Sequence, residues 1–434
     1  MAKSVDAREL RVKVGQLQPG VFIQLEDIWF SHPFFFNNFK IKNYDQIKTL
    51  EALGINDVVW IPEKSDCLPN ALEEASPVVR EEQPKARPLE EDPYLQLLWQ
   101  VKKNRVVKLK QKHECLKRCT INYDNTVKHI HGLMEQILAG STEAIKNAQT
   151  ITEAMVKIFL GDTDALVHLI NVKEKAEGIY HHSLNVSVLA MMLGKKAMLT
   201  EVEMNCLGMG ALLHDVGKVR IDKKILRKLS PYTKSELEII RRHPLWGVEI
   251  VSRGGGFHEA VTRVILQHHE KFNGEGYPQH LKGDQIDKLA RITSIINTYD
   301  NLCNNIDLDK CMTPHQALSY MYTKLQNHLD MELFSLLIRS LGIYPPGTVV
   351  KLSNGEIGIV VSVKPQNPLK PSLMLYDPNI PKDEALFFEM EDDADVTIEN
   401  SIQPDKLPHE VRRYLCPSTG TNYFIESSQI IGQS

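Results

Sequence analysis

The chain has 434 residues, 42% of them apolar and 24% charged, and a formal net charge of -4. That composition belongs to a soluble globular protein with room for two to four domains, and it argues against a disordered chain. It also argues against a dedicated nucleic-acid binder, which usually carries a basic face, so DNA is not an expected partner. No run approaches the roughly 20 apolar residues that a membrane span needs. The N-terminal stretch MAKSVDARELRVKV has no apolar signal core. Seven scattered cysteines suit a reducing compartment, and the expectation is a cytoplasmic protein.

Residues 1–66 read as a small α/β module. Leu10, Val12 and Val14 alternate as in a half-buried strand, and Gln18-Pro19-Gly20 signals a turn. Val21-Phe22-Ile23 and Val58-Val59-Trp60-Ile61 read as further strands. Tyr44 to Leu53 has helical spacing and stops at Gly54. The aromatics Trp29, Phe30, Phe34, Phe35, Phe36 and Phe39 fit a core or domain interface better than a ligand groove. Residues 67–93, rich in proline and acid, form a linker.

Residues 94–172 read as connecting helices. One broad face carries Leu97, Leu98, Val101, Val106, Leu109 and Leu116. Lys102, Lys103, Arg105, Lys108, Lys110, Lys112, Lys117 and Arg118 make a basic, solvated face. The helical reading continues from Asp164 to Val172, and a homodimer through 95–140 is a possible assembly. Residues 173–341 are nearly all helix, with capping boxes at Thr200/Glu203 and Thr233/Glu236. Residues 342–434 turn β-rich, with a hairpin over Val349–Val363 around Asn354-Gly355 and a strand near Leu373–Tyr376. The fold class is mainly α, with a small α/β module before the helical core and a β-rich extension after it.

The chemistry gathers between His182 and Asp300. His182-Ser183, His214-Asp215-Val216-Gly217-Lys218, His243-Pro244 and His268-His269 recur inside apolar helical sequence. Adjacent His and Asp can face one ion only near a helix end, and Gly217 suits such an end. Asp215 can bridge two cations through its two oxygens. The imidazoles are enough for two transition-type ions, not for hard, oxygen-seeking Mg²⁺ alone. Two such ions can share a hydroxide and clamp the oxygens of a phosphodiester. Lys218, one turn beyond His214, can neutralise phosphoryl charge. Lone histidines are more often surface or core residues than ligands, and His168, His258, His280 and His315 are read that way.

With the long run from His268 to Gly276-Tyr277-Pro278, and with Ala290-Arg291-Ile292, the stretch 178–335 resembles an HD-GYP domain of the HD phosphohydrolase superfamily. Residues 11–66 resemble the small N-terminal domain often paired with it, and 342 onward a C-terminal extension seen with the same pairing. The resemblance implies an all-helical HD-type core at 173–341 and a phosphodiesterase that opens cyclic di-GMP or 3',3'-cGAMP to a linear dinucleotide. It implies iron or manganese ions held by His182, His214, Asp215, His243, His268, His269 and Asn297. Lys218 and Asp215 are the implied catalytic residues. Lys218, Arg291 and the loop Gly276, Tyr277, Pro278 are the implied substrate contacts, and that loop can also meet a protein partner.

The chain departs from the family pattern in three places. Gly178 stands where trinuclear members carry Glu, with Glu177 one step off, so two ions are expected. Asn297 stands where the late Asp ligand is expected, with Asp300 remaining. Asn304-Asn305-Ile306 stands where an Arg is common. These departures keep a second reading open, a catalytically weak sensor or interaction module that binds the dinucleotide without turnover.

Overall fold

The computed structural model describes residues 11–26, 31–71, 93–139, 141–161, 167–170, 178–254, 256–305, 307, 310–363, 367–391, 395–415 and 422–425. The readings placed on the linker 72–92, on Trp29 and Phe30 and on Glu177 lie outside these residues.

Strands β1 (Arg11–Lys13), β2 (Phe22–Gln24) and β3 (Asn38–Lys40), helix α1 (Tyr44–Ala52) and strand β4 (Asp57–Trp60) build the N-terminal module. Its sheet is antiparallel in the order β1-β4-β2-β3. Asn43 caps α1 by accepting from the Gln46 amide, and Ile47 and Leu50 bury against Val21, Ile23 and Val58.

Helix α2 (Pro93–Leu138) is the spine of the molecule. Near its start Lys102 Nζ donates to the Phe34 carbonyl at 2.7 Å, and the Arg105 guanidinium lies 4.3 Å from the Phe35 ring centroid. In the middle, Leu109 packs on the C-terminal sheet and His113 bonds the Ala385 carbonyl at 2.8 Å. Further on, Cys115, Cys119, Tyr123, Val127 and Ile130 enter the helical core. The face read as basic and solvated is therefore partly buried. Lys102 is 3% exposed, and burial pushes its pKa down to about 6. The aromatic cluster of the N-terminal module is an interface: Phe35 and Phe36 stand 5.0 and 4.9 Å from Phe388.

Helix α3 (Thr142–Gly161) leads to strand β5 (Val167–Ile170). Here the structure departs from the helix read over 164–172. Val167 to Ile170 pair with the C-terminal segment 422–425, and His168 pairs with Ser362. A short run rich in Val, Leu and Ile takes the conformation that an open sheet edge offers, and tertiary pairing overrides local periodicity.

The core follows as α4 (Gly178–Lys196), α5 (Glu201–Leu213), α6 (Lys223–Leu226), α7 (Lys234–Arg241), α8 (His243–Gly254), α9 (Glu259–Gln267), α10 (Lys288–Cys303), α11 (Pro314–Lys324) and α12 (Met331–Leu341). Both expected capping boxes are present, at Thr200 and Thr233. One apolar cluster joins these helices to α2 and α3, so α4 is fixed by neighbours on every side.

The remaining strands are β6 (Val349–Leu352), β7 (Ile357–Ser362), β8 (Ser372–Leu375), β9 (Phe387–Glu389) and β10 (Ile398–Ile402), then helix α13 (His409–Leu415) and strand β11 (Asn422–Ile425). With β5 they form a sheet ordered β10-β6-β7-β5-β11, and β8 and β9 extend from β7. No helix among the described residues is long and apolar enough to cross a membrane.

Candidate metal centre

Three helix ends and one helix interior converge on Asp215. Helix α5 ends at His214, and the backbone then turns through Asp215 into a 3-10 turn over Val216–Arg220. The break turns two adjacent side chains towards one point. The reason for Gly217 is closeness, not the helix end. A Cβ there would lie 2.0 Å from the His243 carbonyl oxygen and 2.6 Å from the Gly247 amide nitrogen. Glycine alone lets the turn press against the start of α8, and so brings His243 to Asp215.

The ligand atoms form two groups, His182, His214 and Asp215 in one and Asp215, His243, His268 and His269 in the other. In each group they lie within 4.8 Å of one another. Asp215 Oδ2 stands 3.3 Å from His214 Nε2 and 3.7 Å from His182 Nε2. Its Oδ1 stands 3.3 Å from His243 Nε2 and 3.7 Å from His268 Nε2. One carboxylate oxygen thus serves each group.

The histidine tautomers follow from the far sides of the rings. Nδ1 of His214, His243 and His268 lies 2.7, 2.6 and 2.8 Å from the carbonyls of Ala211, Ile240 and Ile265. Nδ1 of His182 lies 2.6 Å from Asp300 Oδ2. A carbonyl or carboxylate only accepts, so each Nδ1 carries the proton and each Nε2 presents a bare lone pair. These lone pairs meet head on: His182 and His214 Nε2 are 3.2 Å apart, as are His243 and His268 Nε2. Asp215 Oδ1 is buried with no hydrogen-bond donor. Facing lone pairs and an undonated carboxylate oxygen are repulsive with nothing between them, and divalent cations there remove the repulsion. The donor set fits such ions.

The electrostatics agree. Burial, then the neighbouring imidazoles, holds His268 and His269 well below the usual imidazole pKa, so both are neutral and competent as ligands. Burial pushes the Asp215 carboxyl up, but the neighbouring His214 and Lys218 outweigh it and hold the group well below the usual range. Lys218 Nζ reaches Asp215 Oδ2 at 2.6 Å and remains partly exposed at the mouth of the site.

The loop after α9 folds back over the second group. Tyr277 stacks on His269 with centroids 4.7 Å apart, and the Arg241 guanidinium lies 5.6 Å from the Tyr277 ring. The loop is tied down by Glu270, whose two buried oxygens accept from the amides of Gln279 and Leu281 at 2.6 and 3.0 Å. Gly276 presses on that anchor, since a Cβ there would lie 2.4 Å from Glu270 Cα. Pro278 follows Tyr277 in the same turn.

Two expected residues are placed otherwise. Arg291 is committed to Asp284 and Asp330, each at 2.9 Å, and lies over Phe272. It braces the loop against α12, with Nη1 shared between the two carboxylates. The cations that stand at the site are Lys218 and Arg241, and sequence reasoning missed Arg241. Its signal was only a position two residues before a ligand histidine. Asn297 is buried on α10, three residues before Asp300, and its amide oxygen accepts from Asn301 at 2.6 Å. Asp300 stands behind the His182 ring, on the side away from Asp215, and acts as its brace.

Helices around a histidine and aspartate cluster of this kind define an HD-type hydrolase domain with a divalent metal site. Residues 133–333 match the model of the HD domain, and residues 9–148 that of a domain of unknown function, DUF3391. The chain thus carries an HD domain over residues 133–333, behind the domain matched at 9–148. It is 26% identical to a cyclic di-GMP phosphodiesterase of Pseudomonas aeruginosa, over 84% of each chain. It is 28% identical to the cyclic di-GMP phosphodiesterase response regulator RpfG of Xanthomonas campestris, over 48% of this chain and 55% of that one. A 3'3'-cGAMP-specific phosphodiesterase of Vibrio cholerae is 28% identical over 38% of this chain and 35% of its own length. Among solved structures, an HDG"Y"P protein from Bdellovibrio bacteriovorus aligns over 75% of this chain and 97% of its own, with 18% identity and a TM-score of 0.44.

Proposed function

We propose that this chain is a phosphodiesterase that hydrolyses a bacterial cyclic dinucleotide, cyclic di-GMP or 3',3'-cGAMP, to a linear dinucleotide, with two iron or manganese ions as cofactors. The observation that carries the reading is Asp215, one carboxylate shared between two groups of bare imidazole nitrogens. His182, His214 and Asp215 would hold one ion, and Asp215, His243, His268 and His269 the other. Two ions so held supply an activated water and charge neutralisation at a phosphoryl group. Asn297 offers the first group no more than a neutral amide oxygen, so that ion is the more weakly held.

The side chains around this centre orient and neutralise the substrate. Lys218, fixed by Asp215, meets a non-bridging phosphoryl oxygen as charge develops there. Arg241 adds a second cation beside Tyr277. The Gly276-Tyr277-Pro278 loop, anchored by Glu270, walls the second group and limits which base can lie against it. The same loop is where a protein partner would gain or lose access.

Turnover tests the reading. Metal-loaded full chain incubated with cyclic di-GMP and with 3',3'-cGAMP yields a linear dinucleotide from at least one. Tight binding of both without product would instead favour a dinucleotide sensor, the reading that Asn297 and Asn304 support.

A further inference from the structure

A hydrogen-bond chain leaves the metal centre and ends at Tyr123 on α2, ahead of residue 133 where the HD domain match begins. Asp300 is fully buried, and its Oδ2 takes the Nδ1 proton of His182 at 2.6 Å. Its Oδ1 accepts from Asn185 Nδ2 at 3.1 Å and from Asn304 Nδ2 at 2.9 Å. The carboxylate therefore has three donors and one fixed orientation. Asn185 uses its amide hydrogen on Asp300, so its Oδ1 needs a donor, and the Tyr123 hydroxyl stands 3.4 Å away. The same hydroxyl lies 2.9 Å from His181 Nδ1. A hydroxyl donates once. With Tyr123 donating to Asn185, His181 Nδ1 donates to Tyr123, which leaves His181 Nε2 as the bare acceptor. That nitrogen is buried without a hydrogen-bond partner, a cheaper orphan than a buried N–H. The tautomers, the amide orientation and the carboxylate all agree with one direction of donation.

We infer that Tyr123, through Asn185 and Asp300, is a positioning residue for His182 and hence for the His182–His214–Asp215 half of the metal centre. The inference rests on the metal-site reading above. His182 needs such a brace more than its companions. The other three rings are pinned by backbone carbonyls three residues back. His182 lies inside α4, where the backbone carbonyls are already used, and its brace has to come from elsewhere in the fold. Asn304, in the stretch where the resemblance leads to an arginine, is part of that brace.

The test uses the full chain with Tyr123→Phe, which keeps the buried ring and removes the hydroxyl. Val127→Ala, one turn along α2 and buried in the same core, is the packing control. Mn²⁺ binding to metal-free protein is read by calorimetry, beside the melting temperature. Tyr123→Phe weakens the looser Mn²⁺ site by about 10-fold, the low end for partners behind a ligand. Val127→Ala lowers the melting temperature and leaves the Mn²⁺ affinity alone. Parent-like Mn²⁺ affinity in Tyr123→Phe overturns the inference. If the parent itself binds no Mn²⁺, the metal reading fails, and the positioning chain is judged on the metal-free protein. There the downfield imidazole proton of the His182–Asp300 bond shifts and exchanges faster in Tyr123→Phe but not in Val127→Ala. An unchanged resonance overturns it.

Discussion

Gly217→Ala probes how the two halves of the metal centre are joined. The added Cβ would sit 2.0 Å from the His243 carbonyl oxygen and 2.6 Å from the Gly247 amide nitrogen, both backbone atoms. No side-chain rotation relieves either contact. Reaching an ordinary 3.4 Å requires α8 to retreat from the 3-10 turn by about 1.4 Å, the difference between 3.4 and 2.0 Å. His243 moves with α8, while His182 and His214 stay with Asp215. Overpacking costs about 1–3 kcal/mol of stability. A displacement of about 1 Å at a reacting centre costs about 10²-fold in rate. The assay is metal content of the purified variant beside its melting temperature and turnover. The expected result is a folded protein that holds one ion tightly and has lost at least 10²-fold in kcat. A variant with two tight ions and parental kcat would refute the close approach as the reason for glycine.

Lys218→Met keeps the metal content and lowers kcat by about 10²-fold, as for removal of one charge-stabilising donor; unchanged kcat, measured on protein of known metal content, removes Lys218 from the reaction. Glu270→Ala frees the amides of Gln279 and Leu281, costs the loop about 1–3 kcal/mol, and appears as faster amide hydrogen exchange at both and a raised KM; parental exchange rates would deny the anchor. Glu356, facing Asn38 across the joint between the N-terminal module and the C-terminal sheet, has its pKa raised to about 7 from 4.5, chiefly by burial. The folded state then binds more protons than the unfolded one between these values. Stability is full below pH 4.5 and falls as the pH rises through 7, by on the order of 3 kcal/mol. Glu356→Gln flattens that slope in denaturant titrations taken across the window, and an unaltered slope would show that Glu356 is solvated.

The histidine and aspartate cluster was legible because its chemistry is local. A histidine at a helix end is pinned by a carbonyl three residues back, and His214, His243 and His268 each stand just beyond the close of a helix. The capping boxes at Thr200 and Thr233 were legible for the same reason. What depends on distant pairing was not. Val167 to Ile170 reads as helix until the segment 422–425 is there to pair with it. Lys102 looks solvated until Phe34, 68 residues earlier, lies over it. The pairing of Arg291 with Asp330, 39 residues later, is likewise invisible in the sequence. Gly217 suggested a helix end, whereas its cause is a contact with α8. Asp300 was visible as an acid, but only its position behind His182 gives it a role.

The most direct measurement is a metal titration and a turnover assay on one sample of the full chain. Metal-free protein receives Mn²⁺ or anaerobic Fe²⁺ in steps, and linear product from cyclic di-GMP and 3',3'-cGAMP is quantified at each. Two equivalents bind, turnover rises with the second, and Asp215→Ala abolishes both. Turnover complete at one equivalent, or absent with two ions bound, would contradict a phosphodiesterase built on a carboxylate shared by two ions.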